Sequence, residues 1–237
     1  MGRPPAHQML MTDMPIELDH IFIWSSRDAV EEAAKLAAFG LVEGSANTHP
    51  GQGTACRRFF FRNVYLELLW VTNSVEAQSA AGGRMRFWER WTSRATGACP
   101  FGFGFRPQGQ PAGSLPFATW AYRPPYLPES WNFRVGENSE LLTEPMLFHL
   151  PFGQRPDSQP RENRQPLEHP AGVREISRFE LVTPHARSLS PELETLKTTG
   201  LVQMQGGAEY CLVLGFDREA QGKTADFRPV LPLVLHH

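Results

Sequence analysis

The sequence predicts an α+β fold in which two strand-helix-strands units close a sheet around a cup. Residues 17–71 read as one such unit, a strand, a helix and three further strands (βαβββ). Residues 173–237 repeat its opening: EISRFELVTP then SPELETLKTTGLV parallels ELDHIFIWSS then EEAAKLAAFGLV, and Gly40 and Gly200 are each followed by Leu-Val. An internal repeat of this kind marks a duplicated structural unit. The chain divides accordingly into a leader (1–15), a first unit (16–72), inserted strands with an aromatic segment and a long loop (73–172), and a second, degenerate unit (173–237). With 237 residues, 41% hydrophobic and 20% charged, it has the size and composition of a soluble globular protein with a substantial core.

The first strand alternates, with Leu18, His20, Phe22 and Trp24 on one face and Glu17, Asp19, Ile21 and Ile23 on the other. Ser25 and Ser26 offer helix-cap chemistry, and Asp28, Glu31 and Glu32 stand near the positive end of the helix. Val30, Ala33, Ala34, Ala37 and Ala38 make an apolar stripe that Gly40 ends. The His49-Pro50-Gly51-Gln52-Gly53-Thr54 loop has turn chemistry, as a connection or as a functional rim. A strand over Val64–Val71 puts Tyr65, Glu67 and Leu69 on one face. Glu67 is the odd member of that apolar strand, and a carboxylate there needs a partner, a proton or solvent.

Beyond it, a short helix is expected over Arg84–Trp91, then a strand in CPFGFGFRP whose glycines point to a close backbone or ligand approach. That strand is no dinucleotide fingerprint, for it lacks the third glycine and the following helix. Phe117, Trp120, Tyr122, Tyr126, Trp131 and Phe133 crowd around four prolines, either as a pocket wall or as core and edge strands. A strand at Met146–Leu150 carries His149 near its end, and Gly153–Gly172 reads as a connecting loop. In the last section Ser190 caps a helix with Pro191 at its first position, and strands follow over Glu209–Phe216 and Asp226–Leu235.

Several function classes are disfavoured. A net charge of -2 with mixed signs gives no electrostatic case for nucleic acid. No run approaches the roughly 20 apolar residues of a membrane span. The first 15 residues lack the apolar core of a secretory signal and read as a flexible leader. Cys56, Cys99 and Cys211 are dispersed and odd in number, which excludes a cysteine zinc site and suits a reducing cytoplasm. No GxSxG elbow is present.

LDH on the first strand, HPGQGT after the helix and YLELL on the fourth strand, in this order and spacing, resemble the glyoxalase-like domain of the vicinal oxygen chelate superfamily. The resemblance covers residues 17–72 and reaches the rest through the repeat. It implies paired βαβββ modules forming a cupped, mostly antiparallel sheet, helices outside, around a divalent metal held from the first and fourth strands of each module. His20 and Glu67 take the first-module ligand positions. An imidazole and a carboxylate suit Zn, Mn, Fe or Ni, and open positions on the ion suit stabilisation of an enolate or oxyanion. The second copy departs: Arg178 stands where His20 does, and no carboxylate lies near Leu212 opposite Glu67. Cys56 replaces the usual asparagine. His149 is then the expected third ligand, from its place at a strand end.

The implied protein is a metal-dependent lyase, isomerase or dioxygenase-type enzyme acting on a small oxygenated substrate, with Glu67 and Arg178 as catalytic groups. Arg178 offers a guanidinium for an anionic substrate. A metal-free binding protein of the same fold is the alternative, its pocket formed by His49, Trp120, Tyr122 and Trp131; in a third reading His20 and Glu67 serve structure alone. A homodimer is a further expectation of the resemblance.

Overall fold

The computed structural model describes residues 16–79, 83–108 and 115–237, so the expected leader lies outside the described residues. β1 (Ile16–Trp24) leads into α1 (Val30–Phe39), which stops at Gly40 in the left-handed region at φ 103°. β2 (Asn47–His49), β3 (Thr54–Phe60) and β4 (Tyr65–Val71) complete the first unit. At the start of α1 the expected serine cap is inverted: Ser26 donates through N and Oγ to the Glu32 carboxylate. The short helices α2 (Ser74–Ala77) and α3 (Phe87–Thr92) precede β5 (Phe101–Pro107), β6 (Thr119–Tyr122), β7 (Phe133–Gly136) and β8 (Met146–His149).

These eight strands form one curled half-barrel in the order β2-β3-β4-β1-β5-β8-β7-β6. It is mostly antiparallel, with parallel joints at β1–β4 and β5–β8. The two halves meet where β1 and β5 run antiparallel, His20 level with Gly104 and Phe22 level with Gly102. The glycines of FGFGF face these rings, and a Cβ on either would fall on its neighbour's ring atoms. Close backbone approach is therefore their role, toward side chains of β1.

The partner of residues 16–72 in this sheet is β5–β8. Residues 173–237, expected beside the first unit, instead make a second sheet from β9 (Ile176–Thr183), α4 (Pro191–Thr198), β10 (Gln203–Gly206), β11 (Cys211–Phe216), β12 (Thr224–Asp226) and β13 (Leu233–His236). Its order is β10-β9-β11-β13-β12. The repeat is nevertheless visible in the pairing: β9–β10 is parallel like β1–β4, and β9–β11 antiparallel like β1–β5. Burial explains the placement. The outer faces of β1 and β5 carry Ile21, Ile23, Phe101, Phe103 and Phe105, all fully buried, and they share one core with Phe179, Leu181, Leu212 and Leu214. The Phe103 and Phe179 rings meet edge-to-face at 4.7 Å, as do Phe61 and Phe216. An apolar outer face of this size needs cover, and the second sheet provides it.

Among the described residues no helix is long and apolar enough to cross a membrane. Gly104→Ala, and equally Gly102→Ala, is expected to lower stability by about 1–3 kcal/mol through overpacking. Urea denaturation measures this, and an unchanged midpoint in both variants would contradict the ring-over-glycine packing.

Candidate functional site

The inner faces of β1, β3 and β4 meet the aromatic segment around a cavity of about 200 Å³. His20, Glu67, His49, Arg58, Tyr126 and Phe148 are among its lining residues. His20 lies over Gly104 and stacks on Tyr65, ring centroids 4.8 Å apart. Its Nδ1–H donates to Asp19 Oδ1 at 2.9 Å, which leaves the Nε2 lone pair unclaimed by Asp19. A register shift between Leu18 and His20 interrupts the alternation that had put Asp19 on the opposite face. Arg106, fully buried, donates to Asp19 Oδ2 at 3.3 Å, to Glu17 Oε1 at 2.8 Å and to the Asn63 carbonyl at 2.8 Å. Burial pulls the His20 pKa down, but the Asp19 hydrogen bond and the charges of Glu67 and Asp19 outweigh it, and the net shift is upward from 6.5.

Glu67 stands on β4 level with Phe22 on β1 and with Arg58 on β3, and it is buried. The Cys56 thiol next to it is pushed up by burial and by the Glu67 charge, so it is no nucleophile. On β2, the Thr48 amide donates to Asn47 Oδ1, so the Asn47 Nδ2 amide faces His49 and donates to its Nε2 at 3.1 Å. His49 Nδ1–H then donates to Thr54 Oγ1 at 2.8 Å, an oxygen that also accepts from Gln52. Burial lowers the His49 pKa and keeps the ring neutral. The HPGQGT loop is therefore a rim of the cavity, with both His49 nitrogens committed to holding it.

The aromatic segment contributes Tyr126, Leu127 and Phe133 to the lining. Tyr122 stands behind them, its hydroxyl donating to Gln52. Trp131 stacks on the lining residue Phe152 at 4.2 Å and is 43% exposed. Trp120 lies outside the cavity lining, its indole N–H donating to Ser139.

Two expected site residues are elsewhere. Alternation on β8 puts Met146 and Phe148 with the inner cluster and Leu147 with the outer core, so His149, two residues after Leu147, shares the outer face. It is buried level with Phe105 and Arg134, both ring nitrogens without a partner, and it does not join His20 and Glu67. Arg178 lies on β9 in the second sheet, ion-paired with Glu180 at 2.7 Å and Glu219 at 2.6 Å. It faces a different cavity and cannot act in this one.

A family model described as a glyoxalase-like domain matches residues 18–197. The chain belongs to the glyoxalase-like domain family. No curated protein matches it in sequence. Among solved structures this glyoxalase-like protein is similar to a hypothetical protein from Staphylococcus aureus, at TM-score 0.49 and 10% identity over 93% of this chain and 98% of that one. It is also similar to a xylose isomerase-like TIM barrel/4-hydroxyphenylpyruvate dioxygenase fusion protein, at TM-score 0.49 and 11% identity over 91% of this chain and 39% of the fusion.

Proteins of the vicinal oxygen chelate superfamily commonly bind divalent metals, and the donor set of this cavity is short for one. On β5 and β8 the inner positions are Gly102, Gly104, Met146 and Phe148, which include no strong ligand. With His49 committed and His149 on the outer face, the donors reduce to His20 and Glu67. No group of three or more His, Cys, Asp or Glu side chains able to hold a metal forms among the described residues. A catalytic site of the usual kind uses three protein ligands, and these residues do not fit one.

Asp19, Arg106 and Arg58 complete the site and were not singled out from the sequence. Arg58 was within reach, since it continues the period-2 face of Cys56. The raised His20 pKa makes its contribution to stability complete below 6.5, fading as pH rises through the higher folded value. In Asp19→Asn the His20 titration followed by NMR is expected to move to lower pH and that fading to weaken; an unmoved titration would contradict the dyad.

Proposed function

We propose that the cavity binds a small oxygenated molecule and that His20 and Glu67 move a proton on it, an isomerase- or lyase-type reaction run without a resident three-ligand metal. The observation that carries this is the Asp19-backed imidazole, with Nε2 free of Asp19, sharing a small apolar cavity with a buried carboxylate. In the proposed step His20 Nε2 takes a proton from a carbon next to a carbonyl, or from a hydroxyl. Asp19 holds the imidazolium that forms, and Arg106 holds Asp19. Glu67 serves as the second acid–base group, delivering or receiving the proton at the neighbouring atom. Aromatic walls limit water at the reacting atoms, which strengthens each charged contact. The upward shift of the His20 pKa, which the Asp19 hydrogen bond and the Glu67 and Asp19 charges produce, favours the imidazolium once the proton is taken.

The alternative, a metal-free binding protein of the same fold, draws on the aromatic lining of Phe22, Phe87, Tyr126, Phe133, Phe148 and Phe152. Under it the cavity holds a ligand and changes nothing.

The test is wash-in of deuterium beside the carbonyl of small α-hydroxy ketones and aldehydes in D2O, with elemental analysis of the same preparations. Substoichiometric metal is expected, with catalysed exchange that falls by about 10²–10⁴-fold in His20→Ala and Glu67→Gln. A full equivalent of Zn, Mn, Fe or Ni that Glu67→Gln removes would overturn the metal-free mechanism. Tight binding with no exchange by the native protein would favour the binding protein.

A further inference from the structure

A second cavity, of about 260 Å³, adjoins the first, and Arg58, Tyr65, Leu150 and Phe152 line both. The two spaces thus form an inner chamber and an outer one with a common wall. Their chemistry differs. The inner chamber is lined mainly by rings and aliphatic side chains together with His20 and Glu67. The outer one adds the amides Gln154, Gln159, Asn163 and Gln165, with Asp19 as its carboxylate.

Among the described residues Arg58 is the only lysine or arginine lining either chamber. Its Nε donates to the Ser45 carbonyl at 2.8 Å and its Nη2 to Ser45 Oγ at 2.7 Å, while the guanidinium lies over Phe60, 5.1 Å from the ring centre. These contacts hold the fork in place without neutralising it. Among the described residues Arg58 pairs with no carboxylate and its Nη1 has no hydrogen-bond partner. Asp19, by contrast, is answered twice, by His20 and by Arg106. Glu67, the register neighbour of Arg58, lines the inner chamber only. The outer side of Arg58 is therefore a fixed cation without a direct carboxylate partner, in an amide-rich surround whose carboxylate, Asp19, is already held by His20 and Arg106. An aromatic-backed guanidinium with donors to spare suits a carboxylate.

We propose that Arg58 is the carboxylate-binding and specificity-determining residue of this cavity, and that the substrate is a small keto or hydroxy acid. Its apolar end fills the inner chamber, its oxygenated carbon faces His20, and its carboxylate rests on Arg58 at the boundary with the outer chamber. This deepens the proposed function and rests on the cavity being the ligand site. It also moves to Arg58 the anion-holding role that the sequence suggested for Arg178.

The test uses a matched pair, mandelate and its neutral isostere mandelamide, titrated into the full-length protein by calorimetry with the His20 NMR signal followed in parallel. The native protein is expected to bind mandelate about tenfold more tightly than mandelamide, the weight of one charge-assisted contact. In Arg58→Gln the two ligands are expected to bind within about twofold of each other, with mandelamide unchanged as the sign that the cavity is intact. Arg58→Lys, which keeps the charge and loses the fork, is expected to fall between. Equal binding of both ligands to the native protein, each moving the His20 signal, would overturn the Arg58 assignment while leaving the cavity reading standing. Failure of both ligands to move that signal at millimolar concentration would overturn both.

Discussion

The close approach of β1 to β5 is the constraint on which the rest of the structure depends. Gly102 and Gly104 leave the space that Phe22 and His20 occupy, so the two halves of the half-barrel join without a layer of side chains between these rings and the strand. The same choice fixes the His20 ring. Packed between the backbone of β5 and the ring of Tyr65, His20 has little rotational freedom, and its Nδ1 is held on Asp19. A glycine opposite His20 also means that the second half brings no ligand to the position facing it. Ring placement and the short donor set follow from one packing decision.

Behind that joint runs a chain of charge, from half-buried Glu17 through buried Arg106 and Asp19 to His20. Buried ions persist when they are paired and fully hydrogen-bonded, and Arg106 meets this by spanning two carboxylates and the Asn63 carbonyl. Arg90 does comparable work outside the cavity. Fully buried in α3, it donates to the carbonyls of Ser139, Leu141 and Glu144, and burial lowers its pKa to about 10. The Arg- and Trp-rich helix thus closes over the β7–β8 connection as a packing element. Glu144 in turn accepts from the Ser190 amide at the start of α4, which ties the second sheet's helix to the first sheet.

Much of the first unit was legible because each element has its own local signal. Period-2 alternation sorted the strand residues into two faces and the family resemblance pointed His20 and Glu67 into the cup, while helical spacing marked α1 and the glycines of FGFGF announced a close approach. What local pattern does not carry is which sheet a strand joins. The similarity between residues 17–42 and 175–202 is a true likeness of strand and helix, yet β9 pairs within another sheet because the edge of β1 is already taken by β5. Arg178 was misplaced for that reason. His149 was lost to a smaller effect, since one step along a strand exchanges inside for outside. Asp19 was hidden by the opposite effect, a register shift that no alternation rule anticipates.

The second sheet, by covering the outer faces of β1 and β5, buries the joint between those two strands at the molecule's centre. The periphery is different: β2 and β6, at the sheet edges, are three and four residues long. Local openings of a protein begin where few apolar contacts hold the backbone and reach the covered centre last. The rim strand with His49 and the aromatic wall are therefore the parts expected to open first, while the strand bearing His20 stays folded. Under the proposed function, access and chemistry fall to parts of the chain with different opening free energies.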